Sequence, residues 1–431
     1  MLFSLDVLRA RKGDCLMLHY GPEDEPHLML IDGGPSNVYK PHLKPRLLQI
    51  HEGRELEEED PLPVDVVMVS HVDDDHIKGI LELTKEQRAQ PDVRLEVDSL
   101  WHNSFDDLLK TRPTELKVEA GFGAAAFDSG GDSGSALASI GQNALASDDL
   151  DNEDELQSAK VLASIPQGRQ LRDDAEVLGW KPNRMFKGKL ILATDATKAV
   201  ALKGGLKVAV VGPMQPELLA LQEAHDKWLR DQEKKEKISP EAALAAFVDD
   251  SVTNLSSIVV IVEAKGKRML LTGDARGDKI LEGLELVGLL EKGGNMHVDV
   301  LKVPHHGSDN NMAPSFFRRV TADHYVFSGN GEHGNPERET LIMLLDARGN
   351  AAYEIHLTYP CDEIDVKRKK DWEKEQAKEI KKKRADVRAD WSPKKNSLAS
   401  FLVDNKEMAK KVRIVEKGKP HLINLLDRVK F

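Results

Sequence analysis

Residues 64–76 decide the fold, and they read Val64-Asp65-Val66-Val67-Met68-Val69-Ser70-His71-Val72-Asp73-Asp74-Asp75-His76. The apolar run at the start predicts a buried strand. That strand stops at a cluster of imidazoles and carboxylates, which are common protein ligands for Zn²⁺ and, where carboxylates are plentiful, for harder ions such as Mn²⁺. The alternative is an acidic, solvated loop, as most aspartate runs are. The stretch therefore predicts a strand that presents metal ligands.

Other predicted strands also end in aspartate or histidine. They run into three polar motifs, which are Asp32-Gly33-Gly34, Gly273-Asp274 and Pro304-His305-His306-Gly307-Ser308. A further strand, at 325–328, leads into residues 329–336, which include His333. A glycine beside a ligand lets the backbone turn sharply and approach an ion. If these ends converge on one edge of a sheet, they supply ligands for two metals about 3.5 to 4 Å apart.

Composition limits the class of protein. The 431 residues include 61 Lys and Arg against 73 Asp and Glu, and a net charge of −12 argues against a surface that clamps duplex DNA everywhere. The two cysteines, Cys15 and Cys361, predict a reduced cytoplasmic protein without a disulfide framework. No apolar run reaches membrane-spanning length and no leader pattern is present, so we expect a soluble protein with no membrane partner.

The chain divides into a large region and an extension. Residues 1–350 read as a hydrolase domain, with a flexible acidic insertion at about 117–160 and a charged helix at about 217–237. The insertion is interpreted as a surface excursion, with a lid over the site as the alternative. Residues 351–431 form a C-terminal extension with a charged helix and short strands, one of them predicted at 398–403. The basic part of that helix is either a solvated face or a contact for phosphate.

In their order along residues 3 to about 345, these motifs resemble the metallo-β-lactamase superfamily. Within it they are most similar to the soluble relatives of the hydrolase domain in the ComEC/Rec2 DNA-uptake proteins. The motifs that carry the resemblance are Leu5-Asp6-Val7 with Gly13-Asp14, Leu30-Ile31-Asp32-Gly33-Gly34, residues 70–76, Leu270-Leu271-Thr272-Gly273-Asp274 and residues 301–308. The resemblance implies an α/β fold, the four-layer αββα sandwich, with a di-metal site at one edge.

The resemblance also implies roles for individual residues. His71 and Asp73 would bind the first of two divalent ions, Zn²⁺ or Mn²⁺, and Asp75 and His76 would bind the second. Asp274 would bridge the two ions, and one of His305 and His306 would complete the second site. The side chains expected to contact and orient these ligands are Asp32, Asn254 and Ser308.

Three departures from the superfamily pattern matter. Asp73 stands where the common motif has a second histidine, and the added carboxylate shifts the preference toward Mn²⁺. The histidine expected before the Gly-Asp motif is missing, so Asn254 or a water would fill its place, with His102 as a conceivable substitute or an ordinary histidine. The family's Gly-His-Pro sequence is replaced here by His333-Gly334-Asn335-Pro336. The role predicted for His333 is to contact the substrate or to act as an acid.

The predicted site favours a metal-dependent phosphodiesterase, most plausibly a nuclease that acts on DNA. A water activated by the ions would attack, Asp75 or Asp274 would hold or accept its proton, and His305, His306 or His333 would protonate the leaving group. The alternatives are an ester, thioester, lactone or lactam hydrolase of the same fold, or a scaffold with a structural metal. We also expect control by a regulatory protein partner, because an unrestrained nuclease endangers its own cell. The sequence leaves the oligomeric state open.

Overall fold

The computed structural model describes residues 1–103, 142, 153–196, 198–214, 257–310, 312–384 and 386–431. The predicted helix at 217–237, most of the predicted acidic insertion and Asn254 lie outside these residues. Within the described ranges, the fold is built from two large sheets with helices on their outer faces.

The first sheet has seven strands in the order β15-β1-β2-β3-β4-β5-β6. Its strands are β1 (Leu2–Val7), β2 (Leu16–Gly21), β3 (His27–Ile31), β4 (Leu62–Met68), β5 (Leu95–Trp101), β6 (Lys181–Pro182) and β15 (Leu422–Asn424). The strands β3, β4, β5 and β6 run parallel, so the carboxyl ends of β3 and β4 meet at one edge. Asp32 and residues 70–76 follow those two ends.

The second sheet has eight strands in the order β14-β13-β12-β11-β10-β9-β8-β7. Its strands are β7 (Val200–Ala201), β8 (Lys207–Gly212), β9 (Val259–Ala264), β10 (Lys267–Leu271), β11 (Met296–Lys302), β12 (Val320–Phe327), β13 (Glu354–Leu357) and β14 (Val412–Ile414). The strands from β10 to β14 are parallel neighbours. Asp274 therefore leaves the sheet at the same edge as His305 and His306.

The helices of the described residues flank these sheets. They are α1 (Lys44–Gly53), α2 (Asp74–Gln87), α3 (Glu153–Leu178), α4 (Gly277–Leu286), α5 (Pro314–Arg319), α6 (Arg338–Arg348), α7 (Cys361–Lys381), α8 (Pro393–Asn396), α9 (Leu398–Asp404) and α10 (Lys406–Ala409). None of these helices combines the length and the apolar character needed to cross a bilayer.

Strand periodicity places the core in layers. Alternate residues of β1, such as Phe3 and Leu5, join Val260 and Val300 of the second sheet in one apolar cluster between the sheets. A second cluster packs the outer face of the eight-stranded sheet against its helices, and a third does the same for the seven-stranded sheet. The layers are thus helix, sheet, sheet and helix, which confirms the predicted αββα sandwich.

Helix α2 lies against the loop that carries Asp32. Gly33 donates its backbone N–H to the His76 carbonyl oxygen at 2.8 Å, and Gly79 donates to the Gly34 oxygen at 2.9 Å. A Cβ atom on Gly79 would lie 1.9 Å from the Gly33 oxygen. Only glycine at position 79 allows this approach, which holds the start of α2 and its Asp75 and His76 beside Asp32.

We expect Gly79→Ala to lower the free energy of unfolding by about 1–3 kcal/mol or more, because the helix must move away from the loop. Urea denaturation followed by circular dichroism measures the change. Lys85→Ala, at an exposed position of the same helix, is the control and should change it by less than about 0.5 kcal/mol. Equal effects of the two substitutions would contradict the proposed close contact.

One prediction about local structure is wrong. Residues 398–403 form helix α9 rather than a strand, because the Ser397 hydroxyl caps the helix by accepting from the Ser400 N–H. The C-terminal region is joined to the rest of the fold at several points, since β13 and β14 pair in the second sheet and β15 pairs with β1 in the first.

Candidate metal centre

Asp274 lies at the middle of a buried group of histidines and aspartates. Its Oδ1 is 3.3 Å from His76 Nε2 and 3.4 Å from His306 Nε2. Its Oδ2 is 3.7 Å from His71 Nε2 and 3.6 Å from His305 Nε2. Each carboxylate oxygen therefore faces a different pair of imidazoles, which is the geometry a bridging ligand requires.

One more aspartate accompanies each pair of imidazoles. Asp73 Oδ2 lies 3.7 Å from His71 Nε2, and Asp75 Oδ2 lies 3.9 Å from His306 Nε2. The first donor set is thus His71, Asp73 and His305, the second is Asp75, His76 and His306, and Asp274 is shared. We call these seven residues the His-Asp centre. Nitrogen and carboxylate donors in this ratio suit Zn²⁺ and Mn²⁺.

Unpartnered nitrogens indicate that the centre fits metal ions. The Nε2 atoms of His71, His76 and His306 are buried and lack a hydrogen-bond partner within the described residues. Buried polar atoms normally have a partner, and a missing ion is one explanation when they do not. Burial and the neighbouring His76 lower the pKa of His71 to about 3, so this imidazole is neutral at neutral pH, as a metal ligand must be.

The turn after β11 aims both neighbouring histidines at Asp274. His305, His306 and Gly307 have φ angles of 46°, 54° and 86°, all in the left-handed region. Histidine rarely adopts this conformation, and each such residue costs on the order of 1–3 kcal/mol, a strain typical of functional sites. A Cβ on Gly307 would lie 2.7 Å from the Phe327 ring, so position 307 requires glycine.

Hydrogen bonds fix the rings of two ligands. Asp32 Oδ2 lies 2.9 Å from His76 Nδ1, while its Oδ1 accepts the Ser70 N–H at 2.7 Å. This is the contact that the resemblance implies for Asp32. On the other side, His306 Nδ1 lies 2.9 Å from Ser328 Oγ. Such contacts select the ring nitrogen that faces the metal.

Ser308 lies in the described part of the chain and Asn254 does not, so only Ser308 can be compared with its predicted role. Ser308 is buried directly after the turn, and its backbone N–H donates to the His305 carbonyl oxygen at 2.9 Å. Asn254 lies outside the described residues. Ser328 supplies a hydroxyl to a ligand imidazole, although nothing in the sequence singled it out from the strand end that carries it.

Asp14 and Lys302 form a buried ion pair against the centre. Lys302 Nζ is 2.5 Å from Asp14 Oδ2 and donates to the Gly273 oxygen at 3.2 Å, and Asp14 Oδ1 lies 3.3 Å from His306 Nδ1. Burial alone would raise the pKa of Asp14, but the charges of Lys302 and His306 hold it well below its usual range. Asp14 is also close enough to His76, Asp274 and His306 to be considered a ligand itself.

His305 and His102 bear on the histidine of the superfamily pattern that this chain lacks. His305 Nε2 faces the same oxygen of Asp274 as His71 Nε2, which is Oδ2, whereas His306 Nε2 faces Oδ1. Both His305 and His306 therefore face the bridging carboxylate. His102 lies at the end of β5, where its ring would be 3.4 Å from a Cβ on Gly168 of α3. Burial lowers the pKa of His102 to about 4. The geometry favours His305 over His102 as the additional imidazole.

His333 lies at the rim rather than among the ligands. Its Nε2 is 3.2 Å from Lys12 Nζ, and its backbone N–H donates to Asp371 of α7 at 2.6 Å. Lys12 in turn acts on the centre electrostatically. Burial would raise the pKa of the Asp75 carboxyl, but the charges of His76 and Lys12 outweigh burial and hold it below its usual range.

Residues 23–156 match the family model described as the Metallo-beta-lactamase superfamily. The matched segment contains Asp32 and residues 71–76 and ends before Asp274. Microtubule-associated protein 1A of Rattus norvegicus is 35% identical over 82 residues, which is 18% of this chain and 3% of that protein. The protein of the same name from Homo sapiens is 35% identical over 78 residues, again 18% and 3%. This chain thus spans about 3% of the length of these relatives.

One solved structure with similarity to this chain is the crystal structure of a protein of unknown function from Enterococcus faecalis V583. The similarity covers 84% of this chain and 71% of that chain, with 9% sequence identity and a TM-score of 0.25. A TM-score of this size supports no conclusion about fold or function.

Proposed function

We propose a nuclease function from the premise that this chain belongs to the metallo-β-lactamase superfamily, through the domain matched at residues 23–156. That superfamily and the buried histidines and aspartates together indicate a metal-dependent hydrolase. The finer proposal is a phosphodiesterase that cleaves DNA under the control of a protein partner.

The observation that carries the proposal is the division of Asp274 between two donor sets. Two divalent ions, if held by these two donor sets, would lower the pKa of a water and neutralise charge on the oxygens of a phosphodiester. With metal bound, the seven ligands would supply three carboxylates and four imidazoles in their neutral, metal-binding form. Three negative charges leave two divalent ions with a net positive charge, which favours an anionic substrate.

Cationic side chains at the rim support the same substrate class. Lys12 lies beside His333 and close enough to Asp75 to lower its pKa. Helix α7 packs on the loop that carries His333, where Arg368 Nε donates to the Gly334 oxygen at 2.9 Å and Lys367 pairs with Glu332 at 2.6 Å. Arg368 is itself buried and Lys367 is paired, so in this proposal Lys12 is the cation that a nucleic-acid backbone would meet, beside α7.

Individual residues take separate tasks in this proposal. Lys12 holds a non-bridging phosphate oxygen and orients the scissile bond. In this structure the Lys12 ammonium donates to His333 Nε2, so in this proposal the proton for the departing oxygen comes from the Lys12–His333 pair. The Asp75 carboxylate accepts the proton released by the attacking water.

The test compares Asp75→Ala with Asp74→Ala. The Asp74 side chain is 55% exposed, and it lies 3.7 Å from Lys78 Nζ, so it faces away from the centre and is a matched control. Plasmid, linear and single-stranded DNA are incubated with Mn²⁺, Zn²⁺ or Mg²⁺, in parallel with a chromogenic phosphodiester. We expect Asp75→Ala to lose about 10³-fold in rate and Asp74→Ala to stay close to the unmodified protein.

Three outcomes would overturn the proposal. Cleavage that persists equally in both variants would come from a contaminant or from another site. A metal-loaded protein that cleaves neither DNA nor the chromogenic phosphodiester, but hydrolyses an ester, thioester, lactone or lactam, would establish the alternative hydrolase. Absence of all turnover despite bound metal would favour the scaffold, and addition of cell extract then tests for an activating partner.

A further inference from the structure

A second group of histidines lies within the eight-stranded sheet, apart from the His-Asp centre. His324 of β12 pairs in register with Glu354 of β13, and Val326 pairs with His356. Val326 belongs to the apolar cluster between the sheets, and side chains two residues apart on a strand share a face. His324, Glu354 and His356 therefore point toward the other sheet, in which His421 directly precedes β15.

The three side chains already have the spacing of metal ligands. His324 Nδ1 lies 3.0 Å from His356 Nε2, and Glu354 Oε2 lies 3.5 Å and 3.8 Å from the same two nitrogens. In a tetrahedral zinc site, ligand atoms at 2.0–2.1 Å from the ion are about 3.4 Å from one another. The observed distances bracket this value, so an ion fits between the three atoms without a change of backbone.

Neighbouring residues hold two of these ligands in position. His356 Nδ1 is 2.8 Å from His421 Nε2, and a proton on His356 Nδ1 leaves the lone pair of its Nε2 directed at His324 and Glu354. Arg413 pairs with Glu354 through its Oε1 at 2.7 Å, which leaves Oε2 for the ion. Both contacts are typical of the residues that surround protein metal sites.

The imidazoles of this second group are in the protonation state that binds a metal. Burial lowers the pKa of His356 to about 2, followed by the effect of His421, and burial also lowers the pKa of His324 and His421. All three imidazoles are therefore neutral near pH 7, and a neutral imidazole is the form that binds metal. Glu354 supplies the negative charge.

We propose that His324, Glu354 and His356 bind a Zn²⁺ ion at a site separate from the His-Asp centre. Two imidazoles and one carboxylate favour zinc over magnesium or calcium. His324 and Glu354 are 24% and 36% exposed, so a water reaches the fourth position. The ion joins β12 to β13 and, through His421, to the segment before β15, so it ties the C-terminal region to both sheets.

The experiment measures zinc per chain by elemental analysis after equilibrium dialysis of the full-length protein. His324→Ala and Glu354→Gln are compared with the unmodified chain, and His297→Ala is the matched control. His297 lies on β11, next to β12, with its side chain 48% exposed and paired with Asp323. We expect both site variants to bind one zinc fewer per chain, and His297→Ala to bind as many as the unmodified protein.

The Glu354→Gln variant guards against a folding defect, because it keeps the size of a partly exposed side chain. Circular dichroism checks that each variant is folded before metal is counted. A full zinc complement in folded Glu354→Gln and His324→Ala would overturn the proposal and leave a hydrogen-bonded histidine chain. Loss of zinc in His297→Ala as well would show that the bound ion is adventitious and would equally overturn it.

Discussion

Replacing Asp274 with alanine is expected to abolish the di-metal character of the His-Asp centre. The two oxygens of Asp274 face different imidazole pairs at 3.3–3.7 Å, so this carboxylate contacts both donor sets. In Mn²⁺-loaded protein, electron paramagnetic resonance should lose the signal of a spin-coupled pair. Phosphodiester turnover should fall by about 10³-fold or more.

Asp278→Ala provides the control for Asp274. Asp278 lies four residues further along, is 53% exposed and pairs with Arg276. It should keep both the coupled Mn²⁺ signal and the rate. A coupled signal that survives in Asp274→Ala would show that a different ligand bridges the ions, and Asp14 would be the first candidate because it approaches His76, Asp274 and His306.

Replacing Lys302 with methionine is expected to destabilise the metal-free protein by about 3–5 kcal/mol, because a buried carboxylate loses its partner. The Lys302 side chain is 1% exposed and its Nζ lies 2.5 Å from Asp14. Urea denaturation in the presence of a chelator measures the free energy of unfolding without a contribution from bound metal. Methionine nearly preserves the volume of lysine, so the lost charge dominates the effect.

Two comparisons isolate the charge at position 302. Adding Asp14→Asn to Lys302→Met should recover part of the loss, since the unpaired charge is removed as well. Lys267→Met removes a lysine that is 42% exposed and pairs with Asp299, and should cost only about 0–1 kcal/mol. Similar losses in Lys302→Met and Lys267→Met would indicate that His306 or His76, rather than Lys302, balances Asp14.

The centre was largely predictable because its seven ligands follow the ends of three strands, β4, β10 and β11. His71, Asp274 and His305 stand directly after apolar runs, and a strand end is visible in the sequence without knowledge of its neighbours. Parallel pairing then brings the ends to one edge. The superfamily and the αββα layers are confirmed; the metal identity, the ComEC-like substrate and the role of each residue stay predictions.

The features that the sequence did not predict depend on contacts between distant segments or on local backbone angles. Asp14, Lys302 and Ser328 acquire their positions from three different strands, and a lone lysine in an apolar strand gives no sign of its partner. The use of both His305 and His306 depends on successive left-handed backbone angles, which the sequence does not specify. Helix α9 escaped because its apolar residues resemble a strand, while Ser397 decides the local structure by capping.

Strands β14 and β15 are translated after the strands they pair with, so both sheets stay incomplete until late in synthesis. A ribosome that has made residues 1–411 has produced all seven residues of the His-Asp centre, yet β1 and β13 still have open edges where β15 and β14 will pair. Open edges invite pairing with other chains. The nascent protein thus carries a complete set of metal ligands on unfinished sheets, and its two open edges need protection from aggregation until residues 412–424 are made.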